Sequence, residues 1–215
     1  WNSRNRTTMT LDKKVVRKFW ENYSKKKDNR VGFTSATMYE WEVSEVSRII
    51  PHVGYLLDLG SGHGNLSRKL INEKSHLLAV DWMEEYKASF CRPNENFICS
   101  PLKSFETKIR FDHVLLFGVI THLNKSEEIN IYKKIAKFLK PNGCAIVKNQ
   151  CSIDKEFFIN GYSEKLNSDY SARYPSIVDQ QKRLEKYFSK VRIIKYPSEY
   201  NYWENSCHIM FVLNL

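Results

Sequence analysis

Residues 56–66 read Leu56-Leu57-Asp58-Leu59-Gly60-Ser61-Gly62-His63-Gly64-Asn65-Leu66, an apolar run containing one acid, followed by glycine at alternate positions. The run fits a buried strand, and the glycines fit the turn by which such a strand passes into a helix. At that turn a side chain would hold the backbone away from a ligand, and positive φ at one or more positions favours a residue without Cβ. The first amides of the following helix would offer unpaired donors to an anionic group. Glycine at 60, 62 and 64 departs from the G-x-G-x-x-G spacing of a dinucleotide turn. Asp58, two residues before the first glycine, would repel a pyrophosphate but suits a cationic ligand group.

Outward from this turn, short apolar runs alternate with amphipathic segments, the pattern of an α/β fold with a parallel sheet and crossover helices. Strands are predicted over 55–59, 77–81, 96–99, 113–117 and 144–148. The second ends in Asp81, about 20 residues past the glycine turn, where a carboxylate can accept hydrogen bonds from ribose hydroxyls. Between the last two strands, Asn124 and Glu127 stand at capping-box positions before Ile131, Ile135, Phe138 and Leu139. That helix is expected to stop at Lys140-Pro141-Asn142-Gly143, where proline sets a turn back to the sheet. Beyond residue 150, a Tyr-rich stretch over 152–175 lacks a clear period and reads as an insertion or substrate loop. A helix over 177–188 and strands over 191–196 and 208–213 follow. Ahead of the turn, apolar residues at helical spacing predict helices over 11–23 and 38–50, forming a cap.

The glycine turn, the acid after the second strand and this alternation resemble the class I S-adenosylmethionine-dependent methyltransferases, of the small-molecule type. The resemblance covers roughly residues 55–148. It implies a Rossmann-like, seven-stranded, mostly parallel sheet with helices on both faces and an N-terminal helical cap. It also implies S-adenosylmethionine as cofactor. Its methionine end, with an ammonium and no phosphate nearby, suits Asp58. By the same resemblance Gly60, Ser61, Gly62 and Gly64 line the cofactor, Asp81 holds the ribose, and Trp82 and Met83 flank the adenine. The acid that often follows the third strand is absent. Cys99-Ser100-Pro101-Leu102 stands there, with Ser100 as the candidate hydrogen bond to adenine and Leu102 among the cofactor contacts. Phe117 and Gly118, after the fourth strand, would pass beside the transferred methyl group.

For the acceptor, a hydroxyl of a small molecule or glycan is the leading expectation. His122 is the candidate catalytic base, because its ordinary pKa lies near neutrality; the alternative is packing at a helix start. Tyr39, Tyr170, Arg173 and Tyr174 are the candidate substrate contacts, since aromatic faces with an Arg suit a sugar, a flat metabolite or an unstacked base. The sequence after the fourth strand lacks the N/D-P-P-Y/F signature of exocyclic base methylation, and there is no Pro-Cys dipeptide for cytosine C5 chemistry. Ribose or ring-nitrogen methylation of RNA stays open, as does a cofactor-binding domain without activity.

The chain has 215 residues and a formal net charge of +10. That length suits a single domain: cap 1–51, cofactor-binding core 52–150, substrate insertion 151–175, and C-terminal helix and strands 176–215. The positive balance favours an acidic partner, RNA among them, and much of it lies at Lys13, Lys14, Arg17, Lys18, Lys25, Lys26, Lys27 and Arg30. The five cysteines show no C-x-x-C spacing, so neither a disulfide framework nor a metal site is expected, and a reducing cytoplasmic setting fits. No membrane span is expected, and the start at Trp1 fits a piece of a longer protein.

Overall fold

The computed structural model describes residues 10–25, 35–164, 166–201 and 204–215. Its elements run α1 (Lys13–Tyr23), α2 (Ala36–Ile49), β1 (Tyr55–Leu59), α3 (Ser67–Leu70), β2 (His76–Asp81), β3 (Glu95–Cys99), β4 (Phe111–Phe117), α4 (Lys125–Phe138), β5 (Leu139–Ser152), β6 (Phe157–Ser163), β7 (Ser168–Tyr174), α5 (Ile177–Leu184), β8 (Lys190–Lys195) and β9 (Ser206–Asn214). Seven strands form one sheet in the order β3-β2-β1-β4-β5-β9-β8. Only β9 runs against its neighbours β5 and β8. The strand order reverses between β1 and β4, so a crevice opens at their carboxyl ends, where ligands bind in open α/β sheets.

The sheet is covered on both faces, which explains why its strands read as continuous apolar runs. Leu57 and Leu59 of β1 pack with Ile131, Ile135 and Phe138 of α4 and Leu184 of α5. Leu56 turns to the opposite face, with Met38 and Val46 of α2 and Leu70 of α3. The start of α4 carries the expected capping box: Asn124 Oδ1 accepts from Glu127 N at 3.0 Å, and Glu127 Oε2 accepts from Asn124 N at 2.8 Å. After Phe138 the pairing jumps from Phe111↔Leu139 to His113↔Cys144, so residues 140–143, expected as a turn, form a bulge within β5, which starts at Leu139.

Three elements differ from the sequence reading. The expected helix after the glycine turn is only the four-residue α3, and residues 84–89 form a short 3-10 helix. A long-helix N-terminus is therefore not what the glycine turn offers a ligand. The stretch read as aperiodic contains the hairpin β6–β7. Its alternation is hidden because both faces of β7 are buried: Tyr170, Ala172 and Tyr174 pack with Phe19 of α1, while Ser171 and Arg173 are buried on the other side. The two N-terminal helices do not form one cap, because α2 belongs to the sheet's covering layer and only α1 joins the hairpin. Asp12 N donates to Ser171 Oγ at 2.9 Å and Asn160 Nδ2 to Thr10 O at 3.0 Å, fastening α1 to β6 and β7. Among the described residues no helix is long and apolar enough to cross a membrane.

Candidate active site

The glycine turn is laced to the end of β2. Gly60 and Ser61 donate their N–H groups to Val80 O at 2.8 and 3.2 Å. Gly62 N donates to Asp81 Oδ2 at 3.0 Å, and Met83 N to Asp81 Oδ1 at 3.1 Å. Gly62 has φ +51°, and a Cβ built there would meet no atom within 4 Å. Its open side borders a cavity. Gly64, at φ +65°, differs: its Cβ would fall 2.6 Å from Phe90 Cε1. That glycine permits packing and does not line the cavity.

A cavity of about 780 Å³ begins at this turn and extends across the ends of β4 and β5 to α1 and β7. Asp58, Gly60, Ser61, Gly62 and Asp81 form one wall. Burial pushes the Asp58 carboxyl up to about 7, with a hydrogen bond from Ser67 acting downward and the nearby Asp81 adding to the rise. Burial also raises Asp81, against the hydrogen bonds it accepts from backbone amides. Trp82, Met83 and Leu102 supply apolar surface, and Phe117 and Gly118 bound the cavity at the end of β4. Ser100 is not on the wall; its N–H goes to Asp81 O at 2.7 Å and its hydroxyl to Pro101 O at 3.2 Å.

The other half of the cavity is a chamber of rings. Phe19, Trp20 and Tyr23 enter from α1, and Tyr170 and Tyr174 from β7. Phe19 meets Tyr170 edge to face at 5.3 Å between centroids. His122 stands between Trp20 and Tyr170, edge to face at 5.3 and 5.8 Å. Its Nδ1 is buried without a hydrogen-bond partner, and burial lowers its pKa to about 4, so the ring is neutral near pH 7. Tyr39 also reaches the wall, donating its hydroxyl to Asn65 O at 2.7 Å. Lys13 donates to His122 O at 3.0 Å and pairs with Glu127, anchoring α1 above the chamber.

Arg173 does not face this chamber. It is 1% exposed, pairs with Glu128 and, at 2.7 Å, with Glu156, and donates to Leu123 O at 2.8 Å. The two-residue period of β7 places it opposite Tyr170 and Tyr174, a signal already present in the sequence. The sequence reading did not single out Glu42, Lys148 and His208, which also bound the cavity. The signal for two of them is a charged or polar residue interrupting an otherwise buried strand, at Lys148 and His208. Of the basic N-terminal residues, Lys13 pairs with Glu127 and Arg17 with Glu21, while Lys26, Lys27 and Arg30 lie outside the described residues.

Residues 56–143 match a methyltransferase-domain family. Phosphoethanolamine N-methyltransferase 1 of Triticum aestivum is 27% identical over 156 residues, covering 66% of this chain. The chain spans only 31% of that protein's length. The fold is similar to that of 1,6-didemethyltoxoflavin-N1-methyltransferase from Burkholderia thailandensis, solved with 1,6-didemethyltoxoflavin and S-adenosylhomocysteine. That likeness has a TM-score of 0.73 at 15% identity and covers 99% of this chain and 96% of that one. Coclaurine N-methyltransferase, solved with N-methylheliamine and S-adenosylhomocysteine, also has a TM-score of 0.73, at 11% identity over 99% of this chain and 84% of that one. Sheet order, glycine turn and paired acids agree with the methyltransferase-domain match over residues 56–143, and the fold is that of the class I, Rossmann-like S-adenosylmethionine-dependent methyltransferases.

Proposed function

We propose that the protein transfers the methyl group of S-adenosylmethionine to a nitrogen of a small, flat molecule held in the ring chamber. The observation that carries this reading is the chamber itself, in which Phe19, Trp20, Tyr23, Tyr170 and Tyr174 face the end of β4 across one cavity. Aromatic walls bury a flat acceptor and exclude water around it.

The residues present fit the cofactor. Gly62 leaves open space where a Cβ would stand, and Asp58 offers a buried carboxyl to an ammonium. Asp81 accepts from the amides of Gly62, Trp82 and Met83, and the four lone-pair sites of a carboxylate leave it acceptor capacity for a ribose hydroxyl. When bound, the cofactor supplies an electrophilic methyl on a sulfonium. The protein's own task is then to hold the acceptor in line with that methyl at close range, from which much of the rate can come. Gly118, at φ +71° and with no atom within 4 Å of a built Cβ, keeps the approach at the end of β4 open.

The choice of nitrogen over the hydroxyl expected from sequence rests on His122. An imidazole whose pKa is lowered to about 4 is a weak base for an alcohol proton. A neutral nitrogen already has its lone pair and needs orientation more than deprotonation. The N-methyltransferase activities of the wheat relative and of the two proteins of similar fold support the same choice. In this reading His122 is a positioning residue, fixed by Trp20 and Tyr170.

The test is transfer of labelled methyl from S-adenosylmethionine into a fractionated extract of the source organism, with the product atom identified by mass spectrometry. An N-methylated small molecule is the expected product. An O-methyl ether would restore the hydroxyl reading, and label confined to RNA, or none at all, would sink the proposal. With the acceptor in hand, kcat is expected to show no step near pH 6.5, the ordinary imidazole pKa.

A further inference from the structure

The cavity has a polar corner that methyl transfer itself does not use. Lys148 of β5 and His208 of β9 lie on the α2 side of the sheet, because Lys148 pairs with Met210, Gln150 pairs with His208, and Met210 packs in the α2-side core. Lys148 Nζ lies 2.9 Å from Glu42 Oε1, and Tyr196 donates its hydroxyl to the same oxygen at 2.8 Å. Glu42 and His208 are each 5% exposed, yet Glu42, Lys148 and His208 all bound the cavity. The His208 ring sits 5.5 Å from the Tyr196 ring, with both of its nitrogens buried and without a hydrogen-bond partner. The corner adjoins the end of β4: Lys148 is in register with Phe117, and its carbonyl accepts from Gly118 N at 2.8 Å.

An imidazole with neither nitrogen bonded destabilises a buried site unless a ligand completes it. The charges around it select that ligand. Lys148 and Glu42 cancel one another, while burial and the charge of Lys148 keep His208 neutral, with its pKa near 3. An anion brought into the corner would meet the Glu42 carboxylate, and a cation would meet the Lys148 ammonium. The neutral imidazole presents an N–H at one nitrogen and a lone pair at the other, so whichever nitrogen faces the ligand can be completed by an uncharged group able to accept or to donate.

The geometry points to Glu42, Lys148 and His208 as a specificity site that takes an uncharged hydrogen-bonding group of the acceptor, of the amide, lactam or hydroxyl kind. This assignment rests on the methyltransferase reading above.

The test uses the whole protein with ¹⁵N-labelled histidine, saturated with S-adenosylhomocysteine, and follows the His208 ring resonances, assigned by their loss in His208→Phe. Acetamide is expected to shift them, whereas acetate and methylammonium at the same concentration leave them in place. A shift by acetate or methylammonium, or none by acetamide, would overturn the assignment. By calorimetry, His208→Phe is expected to bind S-adenosylhomocysteine within about twofold of the unaltered protein, while a loss of about tenfold would place the residue on the cofactor side and overturn it too. If His208→Phe does not fold, His208→Gln serves both comparisons. Failure of the unaltered protein to bind S-adenosylhomocysteine is a separate result, and it strikes the methyltransferase reading itself.

Discussion

Asp81 holds Gly62. The carboxylate at the end of β2 accepts the Gly62 N–H at 3.0 Å, so the acid that the sequence assigns to the ribose also fixes the glycine turn. The two duties separate experimentally. Asp81→Ala is expected to weaken cofactor binding by about a hundredfold or more, because charge-assisted hydrogen bonds to a ligand are lost. It should also lower stability without cofactor by about 1–3 kcal/mol, because the N–H groups of Gly62 and Met83 lose their acceptor. Calorimetry and denaturant unfolding measure the two effects. Lost binding with unaltered stability would show that the turn holds its shape without Asp81.

Asp58 is expected to make cofactor affinity depend on pH. Its pKa rises from an ordinary 3.8 to about 7 in the folded protein without ligand. The folded state therefore holds more protons than the unfolded state between those values. The stability this group contributes is full below about pH 4 and is lost as pH rises through about 7. A bound ammonium favours the carboxylate, so affinity for S-adenosylmethionine should strengthen as pH rises through 7, and binding near pH 7 should release protons. Calorimetry in two buffers of different ionisation enthalpy counts them. Asp58→Asn should abolish both effects, and proton release that persists in that variant would assign the titration to another group.

Arg173 is predicted to fail as a substrate contact and to matter for stability. Removing its guanidinium leaves Glu128, which is fully buried, with Arg183 as its remaining ion-pair partner among the described residues, and breaks the bond to Leu123 O that ties β7 to the approach to α4. Arg173→Ala should destabilise the protein by about 3–5 kcal/mol, the usual cost of breaking a buried ion pair. Chemical denaturation measures this loss. Glu156→Gln, at the more exposed partner, should cost far less. An Arg173→Ala variant of ordinary stability with a raised KM for acceptor would restore its substrate role.

The contrast between Asp81 and Arg173 shows where the sequence is readable. The donor half is local: strand, glycines and the first acid occupy one continuous run, and the second acid is fixed by the end of the next strand. The capping box of α4 is legible for the same reason, since Asn124 and Glu127 are three residues apart. Distant pairing hides the rest. The hairpin β6–β7 has no clean alternation because α1, more than a hundred residues earlier in the chain, covers one face of a strand whose other face is also buried. Gly64 resembles its neighbours in the motif, but its constraint comes from Phe90. Lys148 and Glu42 lie on separate elements, and only the fold brings their charges to 2.9 Å.

Lys134 closes the cavity on the side of Leu102 and Lys103, in a way the motif does not suggest. Its ammonium, on α4, donates to three carbonyls of the chain after β3: Leu102 O at 3.1 Å, Lys103 O at 2.8 Å and Phe105 O at 2.7 Å. All three protons are used, so the side chain pins a segment that carries Leu102 and Lys103 on the cavity wall. Lys134→Met keeps the length of the stem but leaves three carbonyls without their donor. If that segment faces the adenine, as the resemblance implies, Lys134→Met should raise KM for S-adenosylmethionine by about tenfold, while kcat at saturating cofactor stays within about twofold. Glu106, the exposed ion-pair partner at 3.2 Å, serves as the control, and Glu106→Gln should change neither constant measurably. Equal losses in kcat and kcat/KM for Lys134→Met would instead place the disturbance at the reacting atoms, meaning that the pinned segment also sets the position of Phe117 and Gly118.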